Sequence, residues 1–334
     1  MPGTLPRDKE EALKPMLLTL LPVIGLGLAT LDANAESWPT KPLRAIVPFG
    51  AGSTTDIIPR VVLEQLSLQL GQSIVVENRV GAGGTIGSAF VAKADPDGYT
   101  VLVNGAALTI SPSLYSNLSY DPAQDFAPVV PLGISSSVLV VPPSKGWKTV
   151  GDLIATAKAK PGTLNFSSVG VGSATHLSAE RFRTSAGIEA VHVPFKGGAE
   201  AMTEVIAGRI DLFFGPVALV LPQIEEGKLS ALAVNGTRRS AALPNVPTTL
   251  EAGVADAEYA FWLGLFLPAK TPRDIVDKLN RETLKALQEP KVRQKLATLG
   301  FDPMVMTPTE FGAHVEREIA INAALVKAAG IKPN

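Results

Sequence analysis

Two short stretches carry residue types suited to holding an anion. Leu43–Asp56 reads LRAIVPFGAGSTTD and Leu164–His176 reads LNFSSVGVGSATH. In each, a strand-like run enters a turn with two glycines, and hydroxyl residues follow at the start of a helical pattern. The main chain at such a turn offers unpaired N–H groups and the positive end of a helix dipole, which together hold an anion without Arg or Lys. Ser53, Thr54, Ser168, Ser173 and Thr175 would add hydroxyls. Asp56 reads as the N-cap of the first helix, with Pro59 in its first turn, and Ser173 as the N-cap of the second. A tight strand-to-helix connection uses the same residues for packing alone, so either stretch by itself leaves both readings open. If the two helix starts face each other across a cleft, they meet one ligand carboxylate from both sides.

Other chemistry finds less support. Gly81–Gly87 has the spacing G-x-G-G-x-x-G, follows the second strand instead of the first, and has no acidic residue ending a strand about 20 residues on, so helix-start packing explains it better than a dinucleotide. His176, His192 and His314 are the only histidines, there is no cysteine, and no His-x-x-x-His occurs, so neither a metal site nor a cofactor is expected. Ser173 and His176 stand three apart, but the surrounding residues lack the second glycine of G-x-S-x-G, which leaves a serine hydrolase as a weak alternative. Lys196 is either a cation near a bound acid or a solvated loop charge.

The elements that must position these residues alternate. Leu43–Phe49, Ser73–Arg79 and Tyr99–Asn104 read as strands separated by helices, and Asp95–Gly98 is a turn signal. That spacing predicts right-handed crossovers and an α/β fold with parallel sheets. Gly105 to Tyr115 reads as a polar, proline-punctuated connection. Phe126–Pro142 is apolar for long enough to carry the chain from one lobe to another, after which strand and helix alternate again to Asn235. Phe261–Leu267 reads as a strand returning to the first lobe. Three helices follow, each with Pro in its first turn, and Thr271 and Thr307 stand ready as N-caps. The division expected is 1–35 as a signal peptide, 36–140 with 256–334 as the first lobe, and 141–255 as the second.

The signal peptide rests on the apolar run Met16–Leu31 followed by Ala33-Asn34-Ala35, a small-x-small pattern with cleavage between Ala35 and Glu36. Arg7, Lys9 and Lys14 are offset by Asp8, Glu10 and Glu11, so a misassigned start codon or a membrane anchor stays open as the alternative. Of 30 basic and 31 acidic residues, the leader removes three and four, leaving no net charge. A neutral chain with no basic run argues against nucleic acid as a partner. An exported chain without cysteine fits the bacterial periplasm.

Further motifs fall in a fixed order: PFGAGSTTD, ENRVGAGGTIG, ADPDGYTVL, ISPSLY, VPFKGGAEAMTEVIAGRIDLFF, PTTLEAG and GLFLPAKTP. Together, from Trp38 to the C-terminus, they resemble the Bug-type extracytoplasmic receptors of the tripartite tricarboxylate transporter family. The resemblance implies a two-lobed, periplasmic-binding-protein-like fold, each lobe a mainly parallel sheet flanked by helices, with the ligand cleft between. It implies closure on a small carboxylic acid and its delivery to a separate membrane permease; use of the same fold as a sensor for a signalling partner is the alternative, and a monomer is expected. Carried over residue by residue, it places Phe49, Ala51, Gly52, Ser53 and Asp56 on one side of the ligand. Ser168, Ser173, Ala174, Thr175 and His176 stand on the other, Asn104 and Ala106 on the third-strand loop, and Phe195, Gly197, Phe214 and Pro216 beyond. Relatives often carry another Gly or Pro where Ala51 or Ser53 stands. Phe195 stands where they commonly carry Tyr, which implies a more apolar far end and a longer or aromatic acid.

Overall fold

The computed structural model describes residues 38–331 and 333, so the leader read over residues 1–35 lies outside the described residues. The chain runs β1 (Leu43–Val47), α1 (Thr54–Leu70), β2 (Ile74–Asn78), α2 (Thr85–Ala92), β3 (Thr100–Gly105), α3 (Ala106–Leu114) and β4 (Phe126–Val141). It continues through α4 (Val150–Ala159), β5 (Leu164–Ser168), α5 (Ala174–Ala186), β6 (Ala190–Pro194), α6 (Gly198–Ile206), β7 (Leu212–Pro216), α7 (Val217–Glu225) and β8 (Ser230–Val234). Last come β9 (Ala260–Pro268), α8 (Arg273–Gln288), α9 (Pro290–Thr298) and α10 (Pro308–Ala328).

The strands form one path, β2-β1-β3-β9-β4-β7-β5-β6, with β8 also paired to β4. β1 is parallel to β2 and β3, and β5 to β6 and β7, as the crossovers require. The middle differs from the mainly parallel expectation: β9 is antiparallel to β3 and β4, and β4 is antiparallel to β7 and β8. The chain reaches β9 through a long return from β8 that contains no crossover helix, so nothing constrains it to the parallel sense.

β4 changes partners along its length. Phe126–Ser136 pairs with β9, and Ser137–Val141 pairs with β7 and β8. Its register against β9 shifts between Pro128 and Val130 and again between Pro131 and Gly133, where prolines cannot donate to a ladder. On either side of that change the buried residues collect separately. One sector packs Leu43, Val47, Val62, Val103 and Leu265 on one face of its sheet, and Ile46, Leu102, Trp262 and Phe311 on the other. The second sector packs Leu139, Phe166, Phe182 and Phe214 on one face, and Val138, Val140, Phe213 and Val220 on the other. Neighbouring residues of one strand thus enter opposite cores, the period of two that a sheet covered on both faces needs.

Three local expectations are corrected. Gly105 to Tyr115 is no irregular connection: α3 forms through Pro112, and the Ser111 hydroxyl donates to the Leu108 carbonyl, at 2.8 Å, that Pro112 has no N–H to satisfy. In α1 the N-cap is Ser53 and Asp56 is a helical residue, which leaves Pro59 beyond the first turn. At α8 the Thr271 hydroxyl donates to the Pro268 carbonyl and caps nothing, whereas Thr307 forms a reciprocal capping box with Glu310 at α10.

Candidate functional site

The C-terminal ends of β1, β3, β5, β6 and β7 and the starts of the helices after them line a single open cleft of about 430 Å³. Ligands of open α/β sheets bind outside those strand ends. Among the described residues, the amides of Thr54 and Thr55 at α1, and of Ala174 and Thr175 at α5, donate to no protein acceptor. Such N–H groups carry the positive end of each helix dipole. Ser53, the N-cap of α1, makes no side-chain cap bond, and its buried hydroxyl has no partner.

The side chains beneath the first turn hold it in shape. The Asp56 carboxylate accepts from Gly52 N at 2.9 Å with one oxygen and from Arg60 Nε and Asn78 Nδ2 with the other, and Asn78 Nδ2 also donates to the Phe49 carbonyl. Burial alone would raise the Asp56 carboxyl, but bonds from Arg60, Asn78 and Gly52 outweigh it and hold the group below the usual carboxylate range. Asp56 is therefore a brace for the turn and not its N-cap.

In the second turn the hydroxyls expected to face a ligand serve the loop. Ser173 donates to the Gly170 carbonyl at 2.7 Å and accepts from His176 N, Thr175 accepts from Val169 N, and Ser168 accepts from Gly170 N and meets His192 Nε2 at 2.6 Å. The His176 ring stacks on His192 with centroids 3.9 Å apart, and its Nδ1 accepts from Gly172 N. Burial, with His192 and Arg183 nearby, pushes His176 down to about 3, and burial pushes His192 down to about 4, so both are neutral at pH 7. These contacts leave Ser173 and His176 without nucleophile–base geometry, because the Ser173 hydroxyl points its proton at the Gly170 carbonyl and not at the imidazole.

Of the residues expected at the site, Phe49, Ala51, Gly52, Ser53, Asn104, Ala106, Ser173, Ala174, Thr175, Gly197 and Pro216 line the cleft. Asp56, Ser168 and His176 do not; they lie one layer beneath it, ordering the two turns. Phe214 packs against Phe182 in the second core, and Phe195 packs against the opposite face of that sheet. The sequence reading missed an apolar wall of Ile57, Leu219, Phe261, Leu263 and Leu299, contributed by elements distant in sequence. It also passed over Ser137, at the point where β4 changes partners. The glycines at 81–87 pack a helix start: a Cβ on Gly87 would lie 2.9 Å from the Arg79 carbonyl and from Pro48.

A mixed sheet whose strand ends and helix starts meet at one cleft of unpaired amides is the architecture of a solute-binding protein. Residues 58–331 match the family described as the tripartite tricarboxylate transporter family receptor, TctC, and the chain belongs to it. It is 35% identical over 319 residues to Protein BugT of Bordetella pertussis, covering 94% of this chain and 98% of that one. A solved R. palustris protein with adipate superposes with a TM-score of 0.84 at 36% identity, covering 89% of this chain and 100% of that one. MatC from Rhodopseudomonas palustris with bound malate gives 0.77 at 31% identity, over 86% and 99%. Receptors of this family are periplasmic and serve a transporter.

Proposed function

We propose that this chain takes up a small carboxylic acid in the cleft, closes its two sectors over it as lobes divided near residues 140 and 256, and hands it to a membrane permease without bond chemistry. The observation that carries the reading is the pairing of unpaired amides at α1 and α5 with the partnerless Ser53 hydroxyl. A carboxylate bridging both helix starts stabilises the closed form alone, and the permease reads that closure. The apolar wall favours an acid with a hydrocarbon body. Adipate and malate, held by two relatives, are the natural first candidates, and export with cleavage near Ala35 completes the reading.

The test is a screen of mono- and dicarboxylic acids by thermal melting. An acid at a hundredfold its dissociation constant adds about 2.7 kcal/mol. For a chain of this size the midpoint rises by roughly 4 °C. Ser53→Ala should leave the unliganded midpoint unchanged, because the hydroxyl caps nothing, and should weaken the best acid by roughly tenfold, the loss of one hydrogen bond to a charged group. A screen in which no acid moves the transition defeats the proposal, as does full affinity in Ser53→Ala combined with a fall in unliganded stability.

A further inference from the structure

Among the described residues, the cleft is lined by one ionisable side chain, Lys196. It stands in the turn between β6 and α6, next to Gly197, Gly198 and Ala199, which line the same part of the wall. No carboxylate lies in the cleft lining to neutralise it. Glu200, in the first turn of α6, directs its carboxylate to the main-chain N–H of Lys196 at 3.3 Å. The amides of Gly198 and Ala199 have no protein acceptor either.

The charge balance of the cleft is then uneven. Two helix starts, each equivalent to roughly half a positive charge, match one carboxylate at the α1 and α5 turns. The Lys196 ammonium remains with no carboxylate opposite it in the cleft lining, beside the unpaired amides of Gly198 and Ala199 and the side chain of Leu219. An acid with one carboxylate would leave that charge uncompensated, and its far end would lie against a hydrophobic surface beside a cation.

We infer that Lys196 is a specificity-determining residue: it receives a second anionic group on the ligand and makes the receptor select dicarboxylic over monocarboxylic acids of the same chain length. The inference rests on the reading that the α1 and α5 turns hold the first carboxylate. Lys196 is exposed, so its flexible stem reaches ligands of more than one length, and the preference is for the second charge and not for one spacing.

The experiment measures, by titration calorimetry, the affinities of matched pairs (hexanoate with adipate, butanoate with succinate) for the full chain and for Lys196→Met, which keeps the stem and removes the charge. In the natural sequence the diacid of the better pair should bind at least tenfold more tightly than its monoacid. In Lys196→Met that preference should fall to within about threefold, with the monoacid affinity and the unliganded melting point unchanged. The diacid advantage in the natural chain should also shrink as salt rises from 50 to 500 mM, and in Lys196→Met it should be independent of salt. A preference that survives in Lys196→Met overturns the inference while leaving the carboxylate reading intact. Equal loss of both acids overturns it too, because Lys196 would then serve the first carboxylate. If no acid of either kind binds the natural chain, the carboxylate reading itself falls, and this inference with it.

Discussion

Gly105→Ala is expected to destabilise the protein by about 3 kcal/mol or more, the cost of forcing an atom into a closed backbone contact. A Cβ built on Gly105 lies 1.8 Å from the Trp262 carbonyl oxygen and 3.3 Å from the Leu263 Cα. Those atoms belong to β9, which pairs with β3 at this point, Gly105 opposite Leu263. Backbone atoms of a central strand have no rotamer to change, so relief requires the two strands to part. The same position is the N-cap of α3 and lines the cleft, so displacement there also moves the amides of Ala106 and Ala107. Urea unfolding of Gly105→Ala beside Gly197→Ala tests this directly. The two glycines share a φ near −160° but differ in ψ, −126° at Gly105 against 163° at the extended Gly197, and a Cβ on Gly197 meets nothing within 4 Å. Gly197→Ala should change stability by less than about 0.5 kcal/mol. Similar midpoints for the two variants would show that β3 and β9 are not packed as described.

Acid is expected to weaken the fold well above the range where carboxylates titrate. His176 is held neutral down to about pH 3, whereas an unfolded chain protonates it near 6.5. Below 6.5 the unfolded state therefore binds protons that the folded state refuses. Stability present at higher pH is lost as pH falls from 6.5 toward 3, and the loss is complete once the folded ring also protonates. From pH 7 to pH 5, His176 alone should remove about 2 kcal/mol. His192 and His314 are displaced in the same direction, mainly by burial. Glu180, 3.8 Å from His176 Nε2, does not rescue the charged ring, because its other oxygen is bound to Arg183 at 2.7 Å. Protonation would also deprive Gly172 N–H of its acceptor in the second turn of the cleft. Unfolding titrations at pH 7, 6 and 5 should show this slope, and His176→Gln should flatten it by its own share of about 2 kcal/mol. A natural chain equally stable at pH 7 and pH 5 would contradict the buried neutral pair.

The two turns were legible from their residues because their causes are local. Glycine spacing, the strand before and the apolar period after are all contained within LRAIVPFGAGSTTD and LNFSSVGVGSATH. What each hydroxyl does was not legible, because that depends on partners supplied by folding. Ser168 meets His192 from the next strand, while Ser53 meets nothing. Asp56 looked like an N-cap from sequence alone, and only its bonds to Asn78, a strand away, reveal a brace. Among larger elements, the parallel crossovers followed from strand and helix alternation. The antiparallel insertion of β9 did not, since it depends on a pairing across more than a hundred residues. The Ser111 hydroxyl that keeps α3 helical at Pro112 is likewise a side-chain substitution for a backbone bond, which propensity does not register.

The position of β9 also bears on the order in which the chain can assemble. β3 and β4 follow one another in sequence, yet they do not pair; β9 fills the slot between them. As the polypeptide emerges from the ribosome, every strand of the second sector is available before Ala260 has been made. Until then the first sector holds two open strand edges facing an empty lane. A product that ends before that residue keeps both edges bare, and bare edges are where one chain recruits another into an aggregate.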